Sequence, residues 1–563
     1  MAKLQEILAR IYDADVVPEL ADRIEARILE TKKKALYSKA EWDEKDIVLI
    51  TYGDQIFKED EAKLATFKTF FDKYLKNSFE LVHILPFYPY SSDDGFSVID
   101  YKKVNPELGD WQEIQAFADE TRLMFDFVCN HISKESNWFK GYLAGNPEYE
   151  AFFIDLPADT DLSQVTRPRA TPLLTPFLKK DGSKVNIWTT FSDDQIDLNF
   201  ENPEVLYKMV DVLLSYLEEG ASYVRLDAVG FMWKEPGTTS IHLPKTHEII
   251  KLFRLIADTA KPGTVLITET NVPHRDNISY FGNNDEAQMV YQFPLPPLVL
   301  HAVKSGQASV LSAWASEIET PFKQTTYFNF LASHDGIGLN PIRGIVPEEE
   351  ILALVKLLED EGALVSYKEN PDGSKSPYEV NVTYMDALNH INDADDLRLK
   401  RFLVAHSILL AIPGVPAIYV QSVLGSRNDY DGVEKTKHNR SINRKKYHYD
   451  EITSELADSE SLRHKTYDAL TKLVTLRKNE PLFHPDVTME VLDGGEELFA
   501  LKRVNATCEM IVIHNLANKT VHFDLEEGNY TDIISGKSYR GSGTLELEPY
   551  AFYWLKPNEE EKS

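Results

Sequence analysis

Three carboxylates each follow an apolar, β-branched run of residues: Asp227 in VRLDAVGF, Glu269 in VLITETN and Asp335 in LASHDGIG. In a barrel of alternating strands and helices, strand ends deliver such side chains to the active face. Glycoside chemistry uses a set of this kind, because one carboxylate attacks or stabilises the anomeric carbon and another protonates the departing oxygen. Arg225, two residues before Asp227, and His334, next to Asp335, reinforce the pattern.

The first two carboxylates are predicted to have different roles. Asp227 is the predicted nucleophile, and Arg225 at i−2 would lie on the same side of the strand. A guanidinium there is expected to lower the pKa of the carboxyl and keep it ionised. Glu269 is the predicted general acid/base, whose pKa a site shared with other carboxylates would raise. The alternative reading of Arg225 and Asp227 is a purely structural ion pair.

Eight strand-like runs can be counted along the chain, and segments with helical periodicity separate most of them. The runs are residues 46–51, 81–85, 123–128, 223–226, 265–268, 289–293, 327–331 and 415–420. Strand and helix alternating eight times predict an α/β protein of the (β/α)8 barrel type.

The rest of the chain predicts further parts around this barrel. Two long insertions are expected to build the substrate site, because loops of this length on a catalytic face are usually functional. Short alternating runs near the end predict an antiparallel β domain. The predicted parts are a helical extension (1–45), the catalytic barrel (46–131, 201–335 and 394–479), insertions after the third strand (132–200) and the seventh (336–393), and the β domain (480–563).

Composition excludes several classes of partner. Acidic residues outnumber basic ones by 90 to 60, for a net charge of −30, which argues against nucleic acid or an anionic membrane as a partner. The sequence lacks both an apolar run of about 18 residues and a signal-like N-terminal segment. Cys129 and Cys508 are predicted to be buried, reduced thiols of a cytoplasmic protein.

Longer motifs identify a family. The segments DFVCNH, VRLDAVGF, ITET and ASHD resemble the four signature regions of the α-amylase clan. PFYPYSSDDGFSVIDY, WTTFSDDQIDLNF, QFPLPPLVLHA and NRSINRKKY resemble the sucrose phosphorylase subgroup, and the likeness extends from about residue 46 to residue 447. The resemblance implies reversible transfer of an α-glucosyl unit between a small acceptor and inorganic phosphate, with retention and without a cofactor. It also implies no structural calcium, and no Asp-rich ligand loop stands out.

The resemblance assigns roles residue by residue. Asp227 would form the covalent glucosyl-enzyme, Glu269 would be the acid/base and Asp335 would stabilise the transition state. Arg169 in TRPR would bind phosphate together with Tyr378 in SPYEVN. The residues matched to donor-glucose binding are Asp93 (with Asp94 as an adjacent candidate), Phe96, His131, Phe191, Gln195, Arg225, His334 and Arg440.

Two positions depart from the sucrose phosphorylase pattern: Asn271 replaces a His and Glu379 replaces a Gln. Glu379 could accept hydrogen bonds from a polyol acceptor, but it would repel an acidic one unless a cation offsets it, for which Lys234 and Arg167 are the candidates. The segments SPYEVNVTYMDAL and GFMWKEPGTTSIHLPKTH look most like those of subgroup members that use glycerate. We therefore expect D-glycerate as acceptor ahead of glycerol or fructose.

Other functions share part of this pattern. A hydrolase or transglucosidase of the same clan would use the same three carboxylates without depending on phosphate. A non-catalytic clan member is the second alternative, which the intact carboxylates disfavour. Sucrose and glucosylglycerol phosphorylases are alternatives that differ only in the acceptor. The sequence gives no oligomeric state.

Overall fold

The computed structural model describes residues 2–35, 39, 41–169, 171–369 and 374–558. The chain forms two compact units. The first consists of Met1–Glu41, Tyr52–Thr69 and Val82–Tyr291, and the second of Trp42–Thr51, Phe70–Leu81 and Gln292–Ser563.

Eight strands close into a barrel, in which they follow one another in sequence order and the last lies beside the first. Paired strands run parallel. The strands are β1 (Val48–Thr51), β2 (Leu81–Ile84), β3 (Arg122–Val128), β4 (Ala221–Asp227), β5 (Val265–Thr268), β6 (Met289–Tyr291), β7 (Thr326–Phe330) and β8 (Val415–Tyr419). The predicted barrel is confirmed, and each predicted run matches its strand to within two residues at either end.

Strand register brings polar residues together inside the first unit. In β3 and β4, Asp126 lies opposite Arg225 and Val128 lies opposite Asp227. In β5, Ile267 also lies opposite Arg225. Because neighbouring strands are only about 4.8 Å apart, the side chains at these positions are within reach of one another.

Local signals set the helix boundaries. Asn202 caps the helix Pro203–Glu218, whose first residue is a proline, and Gly220 follows it at φ +111°. Asp110 and Glu113 form a capping box at the start of Trp111–Ala118. The helices are Ala2–Ile11, Val17–Thr31, Lys63–Tyr74, Trp111–Ala118, Asn137–Leu143, Pro203–Glu218, Pro244–Ala260, His274–Ile278, Leu295–Ser305, Ser309–Ala315, Glu348–Asp360, Tyr384–Leu388, Asp395–Ala411, Val420–Val423, Tyr430–Thr436, Tyr449–Ala457 and Leu462–Lys478.

Small sheets occupy the two long connections. Between β3 and β4, one strand pair is His131–Ser133 with Gln195–Asp197, and another is Leu174–Leu178 with Lys184–Trp188. Between β7 and β8, the strand Lys375–Asn381 lies between Ile337–Gly338 and Leu364–Glu369. Every strand in these sheets runs antiparallel to its partner.

The C-terminal part is an antiparallel β-sheet, as predicted. Its strands, in spatial order, are Thr488–Leu492, Leu498–Val504, Glu509–Asn515, Phe552–Pro557, Val521–Asp532 and Ser538–Leu547. Two buried side chains tie it to the helix that precedes β8: Arg503 Nη1 donates to the Ala411 carbonyl at 2.6 Å, and Trp554 Nε1 donates to Ser407 Oγ at 2.9 Å. The exact domain boundaries stay predictions.

The two cysteines differ in environment. Both are free, and Cys129 is buried as expected. The prediction was wrong for Cys508, which is exposed in a turn where its backbone N–H donates to Asn505 Oδ1 at 2.9 Å. Within the ranges that the structure describes, no helix is both long enough and apolar enough to cross a membrane.

Candidate active site

The buried Arg225 guanidinium on β4 lies among three carboxylates. Its Nη1 is 2.5 Å from Asp126 Oδ1 and 2.7 Å from Asp227 Oδ1, and its Nη2 is 3.8 Å from Glu269 Oε2. Its Nε donates to the Tyr291 hydroxyl at 2.9 Å. The bond from Arg225 to Asp227 confirms that the two side chains lie on the same side of the strand.

Burial dominates the ionisation of Asp227. It raises the pKa of this carboxyl to about 8, and the negative charges of Glu269 and Asp126 act in the same direction. Arg225 lowers the pKa of Asp227, but less than burial raises it. The expectation of a lowered pKa at Asp227 was therefore wrong, because it counted the guanidinium and left out the loss of water.

The turn after β4 fixes the second carboxylate. Ala228 adopts a left-handed backbone at φ +50°, and its N–H donates to Glu269 Oε2 at 3.3 Å. The amide that follows Asp227 therefore holds Glu269. The negative charge of Glu269 also raises the pKa of Asp227, so the two carboxyl groups act on each other within one buried site.

Five residues predicted to bind sugar lie together in the first unit. Gln195 Nε2 donates to Asp93 Oδ2 and to the Phe96 carbonyl, both at 3.3 Å. His131 Nε2 is 3.0 Å from the same carbonyl, and its ring centroid is 5.3 Å from that of Phe191. Burial lowers the pKa of His131, which keeps the imidazole neutral. The cluster offers hydrogen bonds and two aromatic faces.

The loop that carries Asp93 has a strained backbone. Asp93 and Asp94 both have left-handed φ angles, +54° and +47°. Such residues cost of order 1–3 kcal/mol each and persist only where neighbours hold them. Here the hydroxyl groups of Ser91 and Ser92 both donate to Asp194 Oδ2. Sequence reasoning missed this anchor, although Asp194 directly precedes Gln195.

Arg169 is the predicted phosphate ligand. Its Nη2 lies 3.8 Å from Asp93 Oδ2, a loose contact, and 31% of its side chain is exposed. Arg169 therefore joins the cluster around Asp93 while keeping donors that a solute can reach.

In the second unit, Arg440 holds two carboxylates. Its Nε and Nη2 donate to the two oxygens of Glu379 at 3.1 and 2.7 Å, as a parallel pair. Its Nη1 is 2.5 Å from Asp335 Oδ1. His334 Nε2 lies 3.6 Å from the same oxygen. A guanidinium fork of this kind gives strong and directional hydrogen bonds.

Arg440 is thus the cation whose positive charge offsets the negative charge of Glu379. The two candidates that the sequence suggested for this role, Lys234 and Arg167, bond to other groups. The buried Lys234 ammonium pairs with Asp197 at 2.7 Å. Arg167 Nη2 donates to the Thr171 carbonyl at 2.6 Å. The sequence did not indicate the pairing because 61 residues separate Glu379 from Arg440.

Sequence reasoning also missed residues that hold the segment before Asp335. Asn443 Nδ2 donates to the Ser333 carbonyl at 2.9 Å, and Arg444 Nε donates to the His334 carbonyl at 2.8 Å. Both lie in the NRSINR segment that supplies Arg440, so their proximity in sequence was the available signal.

Other site residues were missed or remain without a tested role. His83 on β2 contacts Asp126, and Tyr291 on β6 accepts a hydrogen bond from Arg225. In the sequence, each is marked only by a polar group within an apolar strand. Tyr378, the predicted partner of phosphate, is half-buried in the strand Lys375–Asn381.

In the part of the chain that the structure describes, no group of three or more His, Cys, Asp or Glu side chains could hold a metal ion.

The chain is similar to known proteins along almost its whole length. Residues 72–340 match the model of the α-amylase catalytic domain. The chain is 55% identical to a glucosylglycerate phosphorylase of Escherichia coli, over 98% of this chain and 99% of that one. It is 46% identical to the enzyme of the same name from Spirochaeta thermophila, over 99% and 98%. The crystal structure of sucrose 6F-phosphate phosphorylase from Thermoanaerobacter thermosaccharolyticum matches with a TM-score of 0.74 at 25% identity, covering 88% of this chain and 98% of that one.

The raised pKa of Asp227 gives the first prediction. Protonated Asp227 stabilises the fold below about pH 4, and this contribution is lost as the pH rises from the ordinary value of 3.8 to about 8. Asp227→Asn, which stays neutral, should therefore unfold at a higher temperature than the wild type at pH 8, by about 2 °C or more. Near pH 4 the two proteins should unfold at similar temperatures. Scanning calorimetry measures both, with Asp227→Glu as the charged control. A less stable Asn variant at pH 8 would mean that the bond to Arg225 outweighs burial.

Proposed function

The chain belongs to the α-amylase family, among the glucosylglycerate phosphorylases, and we propose that it catalyses reversible phosphorolysis of 2-O-α-D-glucosylglycerate to α-D-glucose 1-phosphate and D-glycerate. The observation that carries the proposal is the 55% identity over almost the whole length of a relative of that name. The site supports it chemically, since a nucleophile and an acid share one buried guanidinium.

In the first half-reaction, Asp227 attacks the anomeric carbon while Glu269 protonates the departing oxygen of glycerate. Arg225 aims Asp227 Oδ1 through its 2.7 Å bond, and the Ala228 N–H holds Glu269. The product is a covalent glucosyl ester on Asp227. Asp335 would stabilise the positive charge that develops on the sugar, since the ends of several strands contribute to one site in barrel enzymes.

In the second half-reaction, a phosphate oxygen attacks the glucosyl ester from the face that glycerate has left. Glu269 then takes the proton from phosphate, and Asp227 leaves as a carboxylate. Two inversions give retention, so the product is the α-anomer of glucose 1-phosphate. This course requires the two carboxyl groups to be about 5 Å apart.

The surroundings of the arginines support a phosphate site at Arg169. Arg440 is saturated by two carboxylates at 2.5 to 3.1 Å. Arg169 pairs only loosely with Asp93, at 3.8 Å, so its charge is available to an anion in a chain of net charge −30. Tyr378 would bind phosphate through a hydrogen bond from its hydroxyl group, as the family resemblance implies.

The Arg440–Glu379 pair bears on the acceptor. An unpaired Glu379 would repel the carboxylate of glycerate, and the bidentate contact with Arg440, which also pairs with Asp335, reduces this repulsion. The main argument against an acidic acceptor is therefore weakened. Glycerol, a neutral triol, remains the acceptor of the rival glucosylglycerol phosphorylase function. A cytoplasmic location fits the two free cysteines.

The second prediction separates phosphorolysis from hydrolysis. Arg169→Ala should slow phosphorolysis of glucosylglycerate about ten- to a hundredfold, the effect of one lost charge-assisted hydrogen bond. Slow hydrolysis of the same donor should change much less, because water needs no anion site. Glucose 1-phosphate and free glucose are measured in one reaction. Arg167→Ala, on the same segment, is the matched control. Equal losses in both reactions would make Arg169 structural, and glucose release without any dependence on phosphate in the wild type would support the hydrolase alternative.

The third prediction concerns the acceptor. With glucose 1-phosphate as donor, D-glycerate should be glucosylated at least about tenfold more efficiently than glycerol or fructose, the effect of one charge-assisted contact. The measurement is kcat/KM for each acceptor from the release of phosphate. A preference for glycerol or fructose would refute the glycerate assignment and leave the phosphorylase mechanism intact.

A further inference from the structure

His83 on β2 makes a contact that the mechanism above does not use. Its Nε2 lies 2.6 Å from Asp126 Oδ2, and both side chains are fully buried. Its Nδ1 has no hydrogen-bond partner within the described part of the chain. A buried polar atom without a partner is unfavourable for folding. His83 therefore satisfies one oxygen of Asp126 while one of its own ring nitrogens stays unsatisfied.

The two oxygens of Asp126 are divided between two partners. Oδ2 faces His83, and Oδ1 is 2.5 Å from Arg225 Nη1. The same Nη1 is 2.7 Å from Asp227 Oδ1. A continuous chain of contacts therefore runs from His83 through Asp126 and Arg225 to the nucleophile. Asp126 and Asp227 compete for one nitrogen of one guanidinium.

We propose that His83 is a positioning residue for the nucleophile, because it confines Asp126 to a single bond with Arg225. An ionised carboxylate beside an arginine favours two parallel bonds over one. Without His83, Asp126 would be free to turn both oxygens toward Arg225. The guanidinium would then move toward Asp126 and away from Asp227. The proposal rests on the assignment of Asp227 as nucleophile in the proposed function.

The surroundings decide what such a change would do to activity. The charged groups that act on Asp227 are Arg225, Glu269 and Asp126, and the buried thiol of Cys129 contacts its carbonyl. Of these, Arg225 alone favours the ionised form of the nucleophile. A weaker contact from Arg225 leaves less of the nucleophile ionised at a given pH. The acidic limb of the activity profile should therefore move to higher pH.

The experiment compares pH profiles for release of fluoride from α-glucosyl fluoride, a donor whose leaving group needs little acid assistance. His83→Phe should move the acidic limb of kcat/KM upward by about 0.5–1 pH unit, equivalent to roughly a three- to tenfold change in an ionisation constant. KM for the donor should change less than about twofold, since Asp126, the residue that His83 contacts in the described part of the chain, is not a predicted sugar ligand. His83→Gln, whose amide can donate to Asp126 Oδ2, should restore most of the wild-type profile.

A matched control uses another buried hydrogen bond to the same residue. The Tyr88 hydroxyl donates to the backbone carbonyl of Asp126 at 3.0 Å, so Tyr88→Phe disturbs the same strand without touching the carboxylate. This variant should keep the wild-type pH profile. If His83→Phe does not fold, His83→Leu, whose smaller side chain also lacks a donor, replaces it in the comparison, with the same upward shift expected.

Three outcomes would overturn the proposal: superimposable profiles for His83→Phe and the wild type, an equal shift in Tyr88→Phe, or a shift in His83→Gln as large as that in His83→Phe. Failure of the proposed function has a different signature. It would be seen as fluoride release that persists in Asp227→Ala, or as the failure of the wild type to form glucose 1-phosphate from phosphate and glucosylglycerate.

Discussion

The contact of Arg225 with Asp126, Asp227 and Glu269 is the interaction on which the site depends. A buried charge is tolerated only when it is paired and hydrogen-bonded, so the guanidinium and its carboxylates need one another. Parallel register across β3, β4 and β5 supplies this pairing, because it places strand positions from three segments of the chain side by side. The barrel is therefore what allows several acids to be desolvated together.

Arg440 and Arg169 differ in how strongly nearby carboxylates neutralise their positive charge. Arg440 is neutralised by Asp335 and Glu379, so it can orient the carboxylates without attracting an anion. Arg169 is only loosely paired with Asp93. In a chain with a net charge of −30, Arg169 therefore keeps more of its positive charge than Arg440 does.

Backbone strain occurs beside two groups of polar side chains. Asp93, in the cluster around Gln195, its neighbour Asp94, and Ala228, which follows Asp227, all have left-handed φ angles. The Ala228 N–H reaches Glu269, and the Asp93 carboxylate reaches Gln195. Rigid strands and the hydrogen bonds to Asp194 hold this strain.

The sequence by itself determined the eight strands, the C-terminal sheet and the placement of Asp227 and Glu269 at strand ends, because runs of apolar residues and the turns after them are local signals. Only the tertiary structure decided which charges meet. Burial raises the pKa of Asp227 against the effect of its neighbour Arg225, and desolvation cannot be read from spacing. The pairing of Glu379 with Arg440, the contact of His83 with Asp126 and the exposure of Cys508 likewise depend on residues far apart in the chain. Electrostatic energies follow distance and burial in space, and folding sets both.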